Sequence, residues 1–460
     1  MASLREVSDT YRVIVTRRGA SEFLALPNGT EWVLPRIEVQ LEERIAEQLT
    51  AEITRAWGVE TYCLSVLTSS QDGEPKCAVM ESIRQNDKAP AGTFWVPRVA
   101  VSRSTQASEA RLIQESLEEV NACAINQKAG PFAKPGWLRE LFHWSQERVA
   151  PLGLRLTGSF RQLNASPTFS LIRLEAEGGA VWFKATGEPN SHELPITVAL
   201  ARLFPRYIPQ VLGVHQAWNG WLSAEVAGVS LDQITDFPAW ERAAERLGEL
   251  QVASIGKTGG LLEAQAKDLR VVTLAERIDP FVARMSELME MQKKPTPAPL
   301  VRSELATLAE GLKESCALLE SFGLPNTLGH IDFNPGNILV CGDRCVFLDW
   351  AEGCVTHPLL TFEYLREHMA RRGIEKPAAG ERLTAAYLRA WAAFFSLSDL
   401  RRALALSPLI SVFAYATAND PWSSLDPVRN PNFAGYFRSL ARRMYREAVH
   451  AAFRSEVCLD

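Results

Sequence analysis

The chain has 460 residues, of which 47% are apolar and 22% charged, the proportions of a globular protein rather than a disordered or fibrous one. At this length two or three domains are expected, because one core seldom organises so long a chain. The 49 basic and 54 acidic residues leave a net charge of −5, and no basic tract stands out, so nucleic acid is not expected as a partner.

The first residues, MASLREVSDTYRV, lack the apolar core of a signal peptide, and a cytoplasmic protein is expected. The longest apolar stretch, Ala403 to Ala418, is interrupted by Ser407, Pro408 and Ser411; it is read as a buried helix, and no membrane association is expected. The eight cysteines form no CxxC pair and are read as reduced thiols. Oligomeric state is left open.

Residues 1–126 are read as a small α+β domain. Strand-type runs (YRVIVT, EFLAL, KCAVMESI, FWVPRVAV) surround a helical stretch from about Leu41 to Trp57. Tyr11–Val15, Glu22–Leu26 and Glu31–Pro35, followed by a helix ending at Gly58-Val59, resemble a Nudix fold. Aligned on Gly58, the chain keeps Glu43, Glu52 and Ile53 of the Nudix box. The opening glycine is Ile37, the arginine is Ala51, and the two metal-binding glutamates are Arg55 and Ala56. A cation and a methyl group cannot replace a carboxylate pair on magnesium, so this domain is expected to be an inactive, Nudix-like one.

Residues 127–137 (QKAGPFAKPGW) gather Gly and Pro and are read as a linker. From 138 to 228 the runs 154–163, 168–176 and 180–186 read as three strands, the first two joined by Asn164-Ala165-Ser166-Pro167. The third carries Lys184, and Glu193 opens the next helix, where an acid suits the dipole. Gly220 to Gly228 reads as a further strand. From 229 to 460 helices dominate. Trp240, Ala243, Ala244, Leu247 and Leu250 form one apolar stripe; Leu305, Leu308, Leu312, Cys316 and Leu319 form another, stopped by Gly323.

Residues 328–350, LGHIDFNPGNILVCGDRCVFLDW, are the most informative. Ile338–Val340 and Val346–Leu348 flank a turn containing Gly342-Asp343, the pattern of an antiparallel hairpin. Such a hairpin brings Asn337 and Asp349 to one end of a rigid support, and their oxygens suit magnesium. Asp332, on the loop entering the hairpin, can accept a hydroxyl proton, and phosphoryl transfer asks little beyond positioning and charge stabilisation.

His330-x-Asp332-x4-Asn337, followed by Asp349-Trp350, resembles the catalytic signature of aminoglycoside phosphotransferases and choline kinases, small-molecule relatives of protein kinases. The resemblance implies an α+β, protein-kinase-like, two-lobed domain: a small antiparallel β lobe (138–228) and a larger helical lobe (229–460) whose catalytic loop is 328–350. It implies Asp332 as base, Asn337 and Asp349 as magnesium ligands, and His330 as support for the loop. It makes Lys184 the contact to the α- and β-phosphates and Glu193 its ion-pair partner. Ser166 would donate to the phosphates, and backbone groups of Glu225, Val226 and Ala227 would meet the adenine edge. The expected function is transfer of the γ-phosphate of ATP, with Mg2+, to a hydroxyl of a small molecule; the alternative is a nucleotide-binding pseudoenzyme. The segment after Trp350 departs from the family by lacking a Pro followed shortly by Asp. Within it, His357 is read as a hydrogen-bonded structural residue, with pocket lining as the alternative. Glu352, Glu363, Glu367, Trp391 and Trp422 are the candidates for contacting an acceptor.

Overall fold

The first strand described, Ser8–Arg17, is buried on both faces in its second half. Val13, Ile14 and Val15 are all fully buried, which a strand achieves only when both faces of its sheet are covered. A computed structural model describes residues 8–457 apart from 18, 41–43, 68–75, 86–87, 104–106, 126–130, 373–376, 420–421 and 424–429. Its residues group into two units, Met1–Leu194 with Gln210–Glu225, and Pro195–Pro209 with Val226–Asp460. The architecture is α+β.

In the first unit, β1 (Ser8–Arg17), β2 (Glu22–Asn28), β3 (Glu31–Val33), β4 (Arg36–Gln40), β5 (Thr61–Leu67), β6 (Lys76–Ser82) and β7 (Phe94–Pro97) form a seven-stranded sheet. β1 lies parallel to β6 and antiparallel to β2 and β4. On one face Tyr11, Val13 and Val15 pack with Ala46, Leu49 and Ile53 of α1 (Ile45–Trp57). On the other, Ile14 joins Ile113, Leu117 and Val120 of α2 (Ala107–Ile125) and Trp137, Leu138 and Leu141 of α3 (Trp137–Val149). Neither α2 nor α3 was expected. Of the segment 127–137, the part described buries Phe132 and Trp137 in this same cluster.

The unit's second sheet comprises β8 (Leu156–Ala165), β9 (Phe169–Ala176), β10 (Gly179–Thr186), β11 (Val211–His215) and β12 (Gly220–Ala224) in the order β11-β12-β10-β9-β8, antiparallel throughout. Ile172, Leu174, Val181, Phe183 and Leu222 continue the α2/α3 core. Gln162 of β8 imitates a ladder pair with β5: its amide oxygen accepts from Cys63 N–H at 2.7 Å and its amide nitrogen donates to Cys63 C=O at 2.8 Å. The first unit therefore has a core shared by both sheets.

The second unit is mainly helical. α4 (Glu193–Leu203) runs into it. There follow β13 (Val229–Ser230), α5 (Phe237–Ser254), α6 (Thr258–Glu263), β14 (Lys267–Leu269), α7 (Val271–Glu290), α8 (Arg302–Ser321) and β15 (Thr327–His330). β16 (Ile338–Cys341), β17 (Arg344–Phe347), β18 (Gly353–Thr356), α9 (Pro358–Arg371), α10 (Pro377–Leu388), α11 (Leu397–Leu404), α12 (Ser407–Thr417) and α13 (Pro431–Val457) complete it. The two apolar stripes read from the sequence are buried on α5 and α8. Two small sheets, β13-β16-β17 and β14-β18-β15, sit among the helices. No helix among the described residues is long and apolar enough to cross a membrane.

Candidate active site

β16 and β17 pair with Cys341 opposite Arg344, so Gly342 and Asp343 make the turn. Gly342 has a φ of +62°, where a side chain would be strained. At the other end of the hairpin Leu348 N–H donates to Asn337 C=O at 2.9 Å, which brings the residue before the first strand to the residue before Asp349. The hairpin expected from the turn chemistry is present, and it joins the two ends as the pattern required.

Upstream, β15 delivers the loop. It pairs antiparallel with β18, His330 opposite Gly353, and Gly329 lies so close to its neighbours that a Cβ would meet Thr356 Cγ2 at 2.4 Å and Thr361 Oγ1 at 2.9 Å. Glycine is demanded by that approach. His330 is 1% exposed and stands between Phe333 and Trp350, at ring distances of 5.8 and 5.2 Å.

Burial holds the His330 imidazole below its usual pKa, so the ring is neutral and its two nitrogens play different parts. Nε2–H donates to the Asp349 carbonyl at 2.8 Å, while Nδ1 accepts from the Asp332 backbone N–H at 3.2 Å. One buried ring thus ties the backbones of both acidic residues. Asp349 is held with φ 61° and ψ 64°, a left-handed conformation unusual outside glycine. Both aspartates are exposed.

Asn337 ends a short 3-10 turn, Pro335–Asn337, capped by Asn334, whose Oδ1 accepts from Gly336 N–H at 2.8 Å. The Asn337 amide nitrogen faces the Asp332 carbonyl at 3.4 Å, and its Oδ1 is the atom that could meet a cation. Ser230 also steadies this turn, its hydroxyl standing 3.3 and 3.2 Å from the carbonyls of Pro335 and Gly336. Nothing in the sequence singled out Ser230, because its partner lies more than a hundred residues away.

An amide oxygen and a carboxylate fit magnesium, which keeps several waters and takes substrate phosphate oxygens for the rest of its shell. Among the described residues no three His, Cys, Asp or Glu side chains converge as a metal cage.

In the first unit Lys184, in register with Leu171 and Trp221, extends from β10 to Glu193, Nζ to Oε1 2.5 Å. The Glu193 side chain is almost fully buried and that of Lys184 15% exposed, with Nζ 5.8 Å from the ring centres of Phe169 and of Trp221. Ser166 sits in the β8–β9 turn, where its Oγ accepts from Phe169 N–H at 2.9 Å and from Thr168 N–H at 3.3 Å. That hydroxyl shapes its own turn. Glu225 directs its side chain back to Arg173, at 2.6 and 3.1 Å, and residues 225–228 are neither helix nor strand.

Beside Asp332 lies a cavity of about 180 Å3, formed within the second unit by residues that include Glu352, Tyr415, Asn419, Phe433 and Tyr436. Of the five residues considered for acceptor contact, only Glu352 lines it. Glu363 is buried against Arg366 and Ser407, and Glu367 bonds Arg371 and Arg443. Trp391 and Trp422 belong to the core. His357 is buried too, but neither ring nitrogen has a hydrogen-bond partner among the described residues, contrary to the expected bonded role. Phe433, Tyr436 and Phe437 recur at helical spacing on α13, a signal indistinguishable in sequence from an ordinary core stripe.

The model of a phosphotransferase enzyme family matches residues 205–401. No curated protein matches the chain. Among solved structures, a Plasmodium vivax ethanolamine kinase is 16% identical, covering 68% of this chain and 88% of its own, with a TM-score of 0.46. A choline/ethanolamine kinase family protein from Mesorhizobium loti is 17% identical over 67% of this chain and 94% of its own, TM-score 0.42. A macrolide 2'-phosphotransferase from Brachybacterium faecium is 15% identical over 64% and 98%, TM-score 0.40. The residues matched by that family model, 205–401, contain Asp332, Asn337 and Asp349.

Proposed function

We propose that the chain transfers the γ-phosphate of ATP, with magnesium, to a hydroxyl of a small molecule. One observation carries the reading: the buried, neutral His330 ring holds the backbone of Asp332 through one nitrogen and of Asp349 through the other. A structural loop has no need of such a device, whereas a site that must place a proton acceptor beside a cation ligand has.

Asp332 accepts the proton of the attacking hydroxyl and aims its oxygen as the bond to the γ-phosphorus forms and ADP departs. Asn337 and Asp349 would hold magnesium, which supplies neutralisation of the phosphate charge when bound. Lys184, ordered by Glu193, contacts the α- and β-phosphates. Backbone groups of 225–227 meet the adenine edge. The Ser166 hydroxyl, engaged with Phe169 and Thr168, serves the nucleotide by shaping the turn.

The test is ADP release with Mg·ATP across sugars, amino alcohols, nucleosides and aminoglycosides, for the native chain and for Asp332→Asn. Release that requires both an acceptor and Asp332 is expected. Silence across the panel, or equal release by the variant, would overturn the reading.

A further inference from the structure

The cavity beside Asp332 carries chemistry of its own. At about 180 Å3 it is smaller than the ~300 Å3 at which pockets for drug-sized ligands begin, and close to the ~150 Å3 that holds a single benzene ring. It suits one six-membered ring or a chain of a few carbons. Rings of Tyr415, Phe433 and Tyr436 supply flat apolar faces.

The charge in the wall is already spoken for. Glu352 accepts from Lys267 Nζ at 2.5 Å, and the same ammonium donates to Asn419 Oδ1 at 2.8 Å. Both partners line the cavity, and both side chains of the ion pair are largely buried, at 13% and 24% exposure. Asp332 is the remaining carboxylate of the wall, and it is committed to the hydroxyl. An amine entering here would approach a carboxylate that a lysine has neutralised. Aromatic faces attract a quaternary ammonium through their π electrons, but they stack as well on the C–H faces of a neutral sugar or polyol.

Resting on the phosphotransferase reading, we infer that the acceptor is a neutral, single-ring or short-chain polyhydroxy compound, and that Lys267 is the specificity-determining residue that turns amine-bearing analogues away. Lys267 acts by occupying Glu352, so its removal should reverse the preference rather than abolish binding.

Direct binding to the full chain is measured by calorimetry and saturation-transfer NMR with matched pairs, glucose against glucosamine and glycerol against 2-amino-1,3-propanediol, with choline as the quaternary probe. The neutral member of at least one pair should bind about tenfold tighter than its amine, the scale on which misplaced charge discriminates. Lys267→Met should shift the ratio toward the amine by at least as much, and Glu352→Gln, which removes the carboxylate, should cancel that shift in the double variant. Tighter binding of choline or of either amine by the native chain, or no binding of any neutral member, overturns the proposal. The native-chain panel decides this even if the Lys267 variant fails to fold. ADP release in the same samples separates the two readings: neutral ligands bound with no release sink the phosphotransferase reading and with it the acceptor role, while the Lys267 selectivity stands; release with an amine preferred over its neutral partner sinks the present inference alone.

Discussion

Helix α1 and the loop-hairpin 330–349 each hold positions at which a family resemblance implies magnesium ligands, and they solve different problems. On α1 the residues that hold the helix and those that would do chemistry occupy opposite faces. Ala46, Leu49 and Ile53 are buried, whereas Arg55 and Ala56 are exposed, with Arg55 paired to Glu52. Such a face can change without cost to the fold. In the hairpin, His330 is at once a packed core residue and the brace for Asp332 and Asp349. Packing and the placement of the two aspartates are inseparable there.

The contrast can be broken most decisively at Asp332. Asp332→Asn should lower turnover by ~10²–10⁴-fold with Mg·ATP affinity retained, read by steady-state ADP release and calorimetry. Near-normal turnover would strip the residue of its role. Asp349→Ala should abolish the magnesium-dependent part of nucleotide binding; a titration with unchanged Mg·ATP affinity would reject the cation assignment.

His330→Ala tests the brace itself. Losing a buried ring and two hydrogen bonds should cost about 3 kcal/mol in urea unfolding and lower turnover in the folded fraction. A loss of stability with unimpaired turnover would separate what the comparison joins.

Burial also makes stability depend on pH. His357 is pushed down to about 3 in the fold, by desolvation alone, against an unfolded value near ~6.5. The unfolded chain therefore takes up a proton first as pH falls. Stability from this residue is complete above ~6.5 and declines by up to ~1.4 kcal/mol per pH unit as pH drops through that value toward 3. His330 shifts in the same direction. His357→Leu should flatten the pH dependence of unfolding between 6.5 and 5, and an unchanged slope would show that the ring is not buried neutral. The smallest effect is reserved for α1. Arg55→Ala should change stability by less than ~0.5 kcal/mol and leave ADP release intact. A loss of turnover there would end the contrast.

Much of the site was legible in the amino acids because its determinants are local. A two-residue turn at Gly342-Asp343 between β-branched runs can close one hairpin, and that closure carries Asn337 to the end of β17. The stripes of α5 and α8, and Lys184 on its strand, follow from periodicity over a few turns or alternations. The Lys184–Glu193 pair spans only nine residues.

Long-range packing decided the rest. Helices α2 and α3 escaped because Gly and Pro around 130–136 suggested an open connection, while Phe132 and Trp137 find a core built from strands far away in the chain. The cavity wall unites Asp332 with Tyr415, Asn419 and Tyr436, and its Glu352 is paired with Lys267, so neither its shape nor its charge is a property of any one segment. Trp391 and Glu363, chemically plausible for an acceptor, went to the interior, since burial is settled by which elements meet. Turns and periodic faces are governed by neighbours a few bonds away and can be read directly; a cavity is the space left when distant elements pack, and no short stretch of residues encodes it.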